Sequence, residues 1–262
     1  LGASVHAFSA SDFSVADGLG FGLRISSLGD FFGTGSTVIA TSSAEGKAYL
    51  VELSTDFEIA SVHIVEPGMP GFDPDADFVG QFVASTTAAP IVHSLGDVND
   101  DGLQDLLFVD FSATVDGAPL SGAAFVLLMG TGASVQTYRG IGPAPVFGAS
   151  SGFSGDTTLG ALFGFGGVIG DVDNNGVVDL FLHPATGDEA FVLLLDRDGT
   201  VLSNAEHSLG QILGAHGLTY AGGNGLACSA GDISGDGIPD MVFGEPSLNH
   251  VFVATMSNAG EI

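Results

Sequence analysis

The stretch Gly170-Asp171-Val172-Asp173-Asn174-Asn175-Gly176-Val177-Val178-Asp179, running on into Leu180-Phe181-Leu182, has two counterparts in the chain. They are Asp97-Val98-Asn99-Asp100-Asp101-Gly102-Leu103-Gln104-Asp105 and Asp232-Ile233-Ser234-Gly235-Asp236-Gly237-Ile238-Pro239-Asp240. Each puts oxygen-bearing side chains at loop positions one, three, five and nine and a glycine at the sixth, which is what a hard cation such as Ca²⁺ requires of a tight loop. Turn-forming Asp-Gly and Asn-Gly clusters need no ion. Three copies with the same four positions filled favour the ion over that reading. The expected ligands are Asp97, Asn99, Asp101, the Leu103 carbonyl and Asp105; Asp171, Asp173, Asn175, the Val177 carbonyl and Asp179; and Asp232, Ser234, Asp236, the Ile238 carbonyl and Asp240. Ser234 makes the last site the weakest. An EF-hand requires Glu at the twelfth position, where Phe108, Leu182 and Phe243 stand, so the helical calcium hand is excluded.

The loop also marks a repeat. Gly-Asp pairs at Gly29-Asp30, Gly96-Asp97, Gly170-Asp171 and Gly231-Asp232 lie 67, 74 and 61 residues apart. In the first, Asp30 and Gly35 are kept, but Phe32 and Val38 occupy ligand positions, so this loop is expected to be an empty structural turn. After each pair come two short apolar runs, such as Leu106-Leu107-Phe108-Val109 and Ala124-Phe125-Val126-Leu127-Leu128, which read as strands buried on both faces. A fourth strand recurs at Ala60-Ser61-Val62, Ala133-Ser134-Val135 and Gly199-Thr200-Val201. The last repeat reaches the end of the chain before its copy, whereas the N-terminus reads Ala3-Ser4-Val5-His6-Ala7-Phe8. The expected fold is therefore an all-β propeller of four blades in one domain, residues 1–262. The blades span about 18–66, 82–140, 155–205 and 220–262, the last completed by strand 3–9. The alternatives are a strand exchanged between subunits and a fragment of a larger propeller.

Phe21-Gly22 ahead of Asp30, then Gly-Asp, the Asp-rich loop and an apolar strand, resembles the FG-GAP repeat of integrin α-subunit propellers and related bacterial surface proteins. The resemblance covers essentially the whole chain. It implies that each repeat is a blade, with Ca²⁺ in the loop between its first two strands, held by the residues named above. At the equivalents of Phe21-Gly22 the chain has Ala88-Ala89, Leu162-Phe163 and Gly223-Asn224.

Charge narrows the partners. Thirty-one acids against Lys47, Arg24, Arg139 and Arg197 give a net charge of -27, which excludes a surface for nucleic acid and disfavours anionic membranes. Three Ca²⁺ would leave about -21. No apolar run is long enough for a membrane span, and the single Cys228 forms no internal disulfide. Cys228 is expected to be a buried small hydrophobe. The seven histidines lack metal spacing and read as core or strand-end residues; Asp196-Arg197-Asp198-Gly199 reads as a hairpin turn, and Asp73-Pro74-Asp75-Ala76-Asp77 as a solvated loop. No nucleophile with a base and no phosphate loop can be assembled, so an enzyme is not expected. The expected function is a calcium-binding extracellular module for adhesion, protein interaction or surface assembly. A glycan-binding lectin is one alternative. A structural subunit of a filament or layer, joined through the N-terminal strand, is another, motivated by a mean hydropathy of +0.43.

Overall fold

In the computed structural model, residues 7–13, 21–77, 82–84, 88–115, 121–142, 147, 153, 164–185, 187–220 and 226–262 are described. The first blade is the meander β1 (Ile25–Gly29), β2 (Thr37–Ser43), β3 (Lys47–Leu53) and β4 (Ile59–Val65). A two-residue strand, β5 (Phe82–Val83), leads to the second blade: β6 (Ile91–Gly96), β7 (Asp105–Asp110), β9 (Ala123–Met129) and β10 (Val135–Ile141). Between its middle strands, β8 (Thr114–Val115) pairs with β5. The third blade is β11 (Phe165–Gly170), β12 (Asp179–His183), β13 (Glu189–Leu195) and β14 (Val201–Ser208). The fourth is β15 (Ala227–Gly231), β16 (Asp240–Glu245) and β17 (His250–Ala254). All neighbours pair antiparallel, and the four sheets form a four-bladed β-propeller. The short helices Pro74–Asp77 and Leu209–Gly214 lie outside the meanders, and among the described residues no helix is long and apolar enough to cross a membrane.

Alternation along the strands builds a core between successive blades. Leu106 and Phe108 of β7 join Val38, Leu50 and Val65 of the first blade, while Leu107 and Val109 turn the other way to meet Leu180, Leu182 and Phe191 of the third. Phe181, Val192 and Leu194 likewise meet Ala227, Met241 and Phe243 of the fourth. This is why β7 and β9 are buried throughout: each is covered on both faces.

The fourth blade differs. In β17, Phe252 and Ala254 face the third blade, but Val251 and Val253 are 71% and 58% exposed. Burial on both faces, expected of this strand, holds on one. The N-terminal strand expected beside it falls at Ala3 to His6, outside the described residues. Of that stretch Ala7 and Phe8 are described; neither is in a strand, and Phe8 packs with Phe13, Tyr49 and Val51 against the first blade. Among the described residues the fourth sheet has three strands.

Candidate metal centre

Each Asp-rich loop is the hairpin that joins the first strand of a blade to its second. In all four blades the first strand ends in a bulge at the glycine before the loop, and that glycine pairs with loop position nine: Gly29 with Val38, Gly96 with Asp105, Gly170 with Asp179 and Gly231 with Asp240. Position six has left-handed backbone in Gly35, Gly102, Gly176 and Gly237, with φ of 80, 87, 91 and 88°. Position four does too, in Gly33, Asp100, Asn174 and Gly235. These residue types tolerate that region, a signal that was present in the sequence but absent from the ligand pattern.

The loop skeleton is closed by the first aspartate. Asp97 Oδ2 accepts from Gly102 N at 2.8 Å, Asp171 Oδ2 from Gly176 N at 2.9 Å and Asp232 Oδ2 from Gly237 N at 2.8 Å. In the first blade Asp30 accepts from Gly35 N at 3.0 Å, so the same turn forms there without the other acids. The amide from Gly237 holds the Asp232 carboxyl below its ordinary pKa.

Position nine ties the loop to the blade. Asp105 Oδ2 accepts from Val98 N at 2.8 Å and its Oδ1 from Met129 N, at the end of β9, at 2.7 Å. Asp179 repeats this with Val172 N at 2.7 Å and Leu195 N at 2.9 Å. Both side chains are fully buried. Burial pushes the Asp105 carboxyl up to about 6, against the pull of the two amides and with a further push from Asp101 and Asp97. For Asp179 burial, opposed by its two amides and assisted by Asp173 and Asp171, raises it to about 7. Asp240 is equally buried; its Oδ2 accepts from Ile233 N and Ser234 N at 2.9 and 2.8 Å, but its Oδ1 has no hydrogen-bond partner.

Among the described residues, Asp171, Asp173 and Asp179 are the group whose carboxylate oxygens all lie within 4.8 Å of one another. Asn175 Oδ1 is held in the same loop by Val177 N at 2.7 Å, and its Nδ2 donates to the Leu195 carbonyl at 2.8 Å. In the second blade Asp101 Oδ2 instead accepts from Asn99 Nδ2 at 3.2 Å and from Gln136 Nε2 at 3.1 Å. In the fourth, the Ser234 hydroxyl lies 3.4 Å from Asp232 Oδ1. A hard divalent cation fits this donor set on two grounds. The ligating atoms are all oxygens, and the carboxylates raised chiefly by burial and further by neighbouring acids, together with the orphaned Asp240 Oδ1, are groups that a positive charge would relieve. A carboxylate oxygen with one amide donor retains a lone pair for a metal.

The loops are linked across blades. Gln104 Nε2 donates to the Asp30 carbonyl at 3.2 Å, and Arg197, on the hairpin turn that closes at Gly199 N to Asp196 O, pairs with Asp100 and reaches the Asn175 carbonyl at 3.4 Å. Elsewhere, Asp73–Asp77 forms one helical turn rather than an open loop, and Asp77 accepts from the Tyr138 hydroxyl. Cys228 is exposed, against the expectation of burial, because the β15 face that carries it has no apolar cover among the described residues. A groove of about 300 Å³ between the first two blades brings Glu52 near His63. There the Ser61 hydroxyl donates to Glu52 at 2.8 Å and lies 3.3 Å from His63 Nε2. The serine thus stands between acid and imidazole, not at the end of a relay in which the acid orients the base.

No protein-family model matches the chain, and no curated protein matches it.

Proposed function

We propose that the chain is a non-catalytic propeller of the FG-GAP type that holds Ca²⁺ in three blade hairpins and presents a protein-binding surface outside the cell. The observation that carries this reading is the recurrence of one loop skeleton in four blades, with acids at the ligand positions in the last three and a buried Val38 at the ninth position in the first. Asp97, Asn99, Asp101 and Asp105, with the Leu103 carbonyl, hold the first ion. Asp171, Asp173, Asn175 and Asp179, with the Val177 carbonyl, hold the second. Asp232, Ser234, Asp236 and Asp240, with the Ile238 carbonyl, hold the third. The ions supply positive charge against the local excess of acid and fix the hairpins in one geometry. Mostly carboxylate loops of this kind suit the high calcium of the extracellular space. Calorimetric titration should count three ions, and a chelator should lower the melting temperature by several degrees; an unchanged melting curve in EDTA would overturn the proposal.

A second reading, self-assembly, is favoured by the exposed face of β17 and by its edge, which pairs with no strand among the described residues. Its measure is the native mass by light scattering, and a monomer at high concentration would exclude it.

A further inference from the structure

The end of the propeller opposite the Asp-rich loops holds a cavity of a different character. It measures about 180 Å³ and lies between the start of β1 and the start of β6, with Leu226, just before β15, on its wall. Arg24 lines it. The other three cations in the chain are paired: Lys47 with Glu66 at 3.4 Å, Arg139 with Asp198 at 3.7 Å and Arg197 with Asp100. Arg24 has no carboxylate among the described residues. Its guanidinium stands 5.3 Å from the ring centre of Phe111 and 5.9 Å from that of Phe165, and its buried Nε has no hydrogen-bond partner. Leaving a buried N–H of a cation unfilled is costly, so the site is chemically incomplete.

Three more unfilled polar groups, on Thr41, Ser42 and His93, line the same cavity. Ser42 is 1% exposed and its Oγ has no partner, and His93 Nε2 has none either. Ile25 pairs with Thr41, and Gly22 N donates to the Ser42 carbonyl at 3.2 Å, which brings the segment that carries Arg24 alongside Ser42. Burial lowers the pKa of both Arg24 and His93, a cost that a bound anion would offset. A guanidinium fork, a hydroxyl and an imidazole call for a small planar acceptor, and a carboxylate meets that description. The rest of the lining, Leu23, Ile25, Pro90, Ile91 and Leu226, calls for an apolar substituent. The acids of the distant loops oppose an anion only weakly, because charges more than about 8 Å apart are screened at physiological salt.

The geometry points to this cavity as a binding site for a carboxylate carried on a small apolar group, recognised by Arg24 with Ser42 and His93. The carboxylate belongs either to a free acid or to the C-terminus of a peptide. The site is independent of the calcium loops, and the test keeps calcium saturating throughout.

The experiment is an amide-resolved NMR titration of the full chain with three probes: N-acetyl-leucine, N-acetyl-leucinamide and a pentapeptide ending in a free leucine carboxylate. The free acid or the peptide should shift Ser26, Ser42 and His93 saturably, and the neutral amide should not. Tighter binding of the peptide assigns the chain terminus as the source, and tighter binding of N-acetyl-leucine assigns the free acid. Arg24→Gln should weaken binding by about tenfold or more, as expected for a charge-assisted pair. Because that change also removes the contacts to Phe111 and Phe165, Ser42→Ala is the second variant. Deleting an unpartnered hydroxyl should leave the melting temperature unchanged or raised while affinity falls several-fold. Three results would each overturn the proposal: no saturable shift at about 50 mM acid or peptide, an equal response to the amide, or unaltered binding by Ser42→Ala.

Discussion

Asp105, Asp179 and Asp240 each serve two roles that can be separated by substitution. As acceptors for the second amide of the loop they tie the hairpin to the blade, and as buried carboxylates they are the ninth-position ligands of the proposed cation sites. Asp173 has only the second role of any consequence, since it accepts from Asn175 N, already bonded to Asp171, and from Asn175 Nδ2, already bonded to the Leu195 carbonyl. Asp179→Ala should therefore cost one ion and also about 2–4 kcal/mol in the presence of chelator, from two stranded buried amides. Asp173→Ala should cost one ion in calorimetric titration but leave chelated stability almost unchanged. The raised carboxyls give a pH signature with a definite sign. Asp105 and Asp179 have folded pKa values near 6 and 7, above the unfolded value near 4, so the fold favours their protonated forms. Their contribution to the chelated protein is complete below the unfolded pKa and is lost as pH rises through about 6 and 7. Melting temperature in chelator should fall between about pH 4 and pH 7. Saturating calcium, which binds the ionised form, should remove or reverse that decline.

Among the elements, the hairpin between the first and second strands of a blade combines what the sequence displays with what it hides. Positions one, three, five, six and nine were legible because side-chain chemistry marks them. The bulge at the preceding glycine and the left-handed backbone at position four were not, since Gly, Asp and Asn are used for many other purposes in loops. The conformational requirement is testable at Asn174, whose φ is 61°. Asn174→Val should destabilise by about 1–2 kcal/mol in urea unfolding, because a branched side chain is strained in that region, whereas Asn174→Gly should be close to neutral. The same scale explains Cys228. An apolar first strand reads as buried, but first strands line the axis, and their exposure depends on what faces them there.

For the whole molecule, the outer face of the fourth blade contrasts with the cores between blades. Val251→Thr together with Val253→Thr should change unfolding free energy by less than about 0.5 kcal/mol per site, because both side chains already stand in solvent and Thr keeps the strand preference. Phe125→Ala, in the fully buried layer between the first two blades, should cost about 3–5 kcal/mol. A large effect of the valine pair, with a fall in native mass, would mean that a second copy covers that face in solution. The sequence alone determined the number of blades, the order of strands within them and the residues of the three acidic hairpins. Each of these is written in local periodicity and in side-chain types that a tight turn or a paired strand demands. Tertiary structure decided which carboxylates converge, that Asp171, Asp173 and Asp179 meet while Asp101 is held by Gln136, and that Arg24 is left without an acid at the axis. The first depends on how one hairpin turns its side chains, the second on the outer strand of the same blade and the third on how separate blades pack, and no local pattern encodes the distance between two such groups.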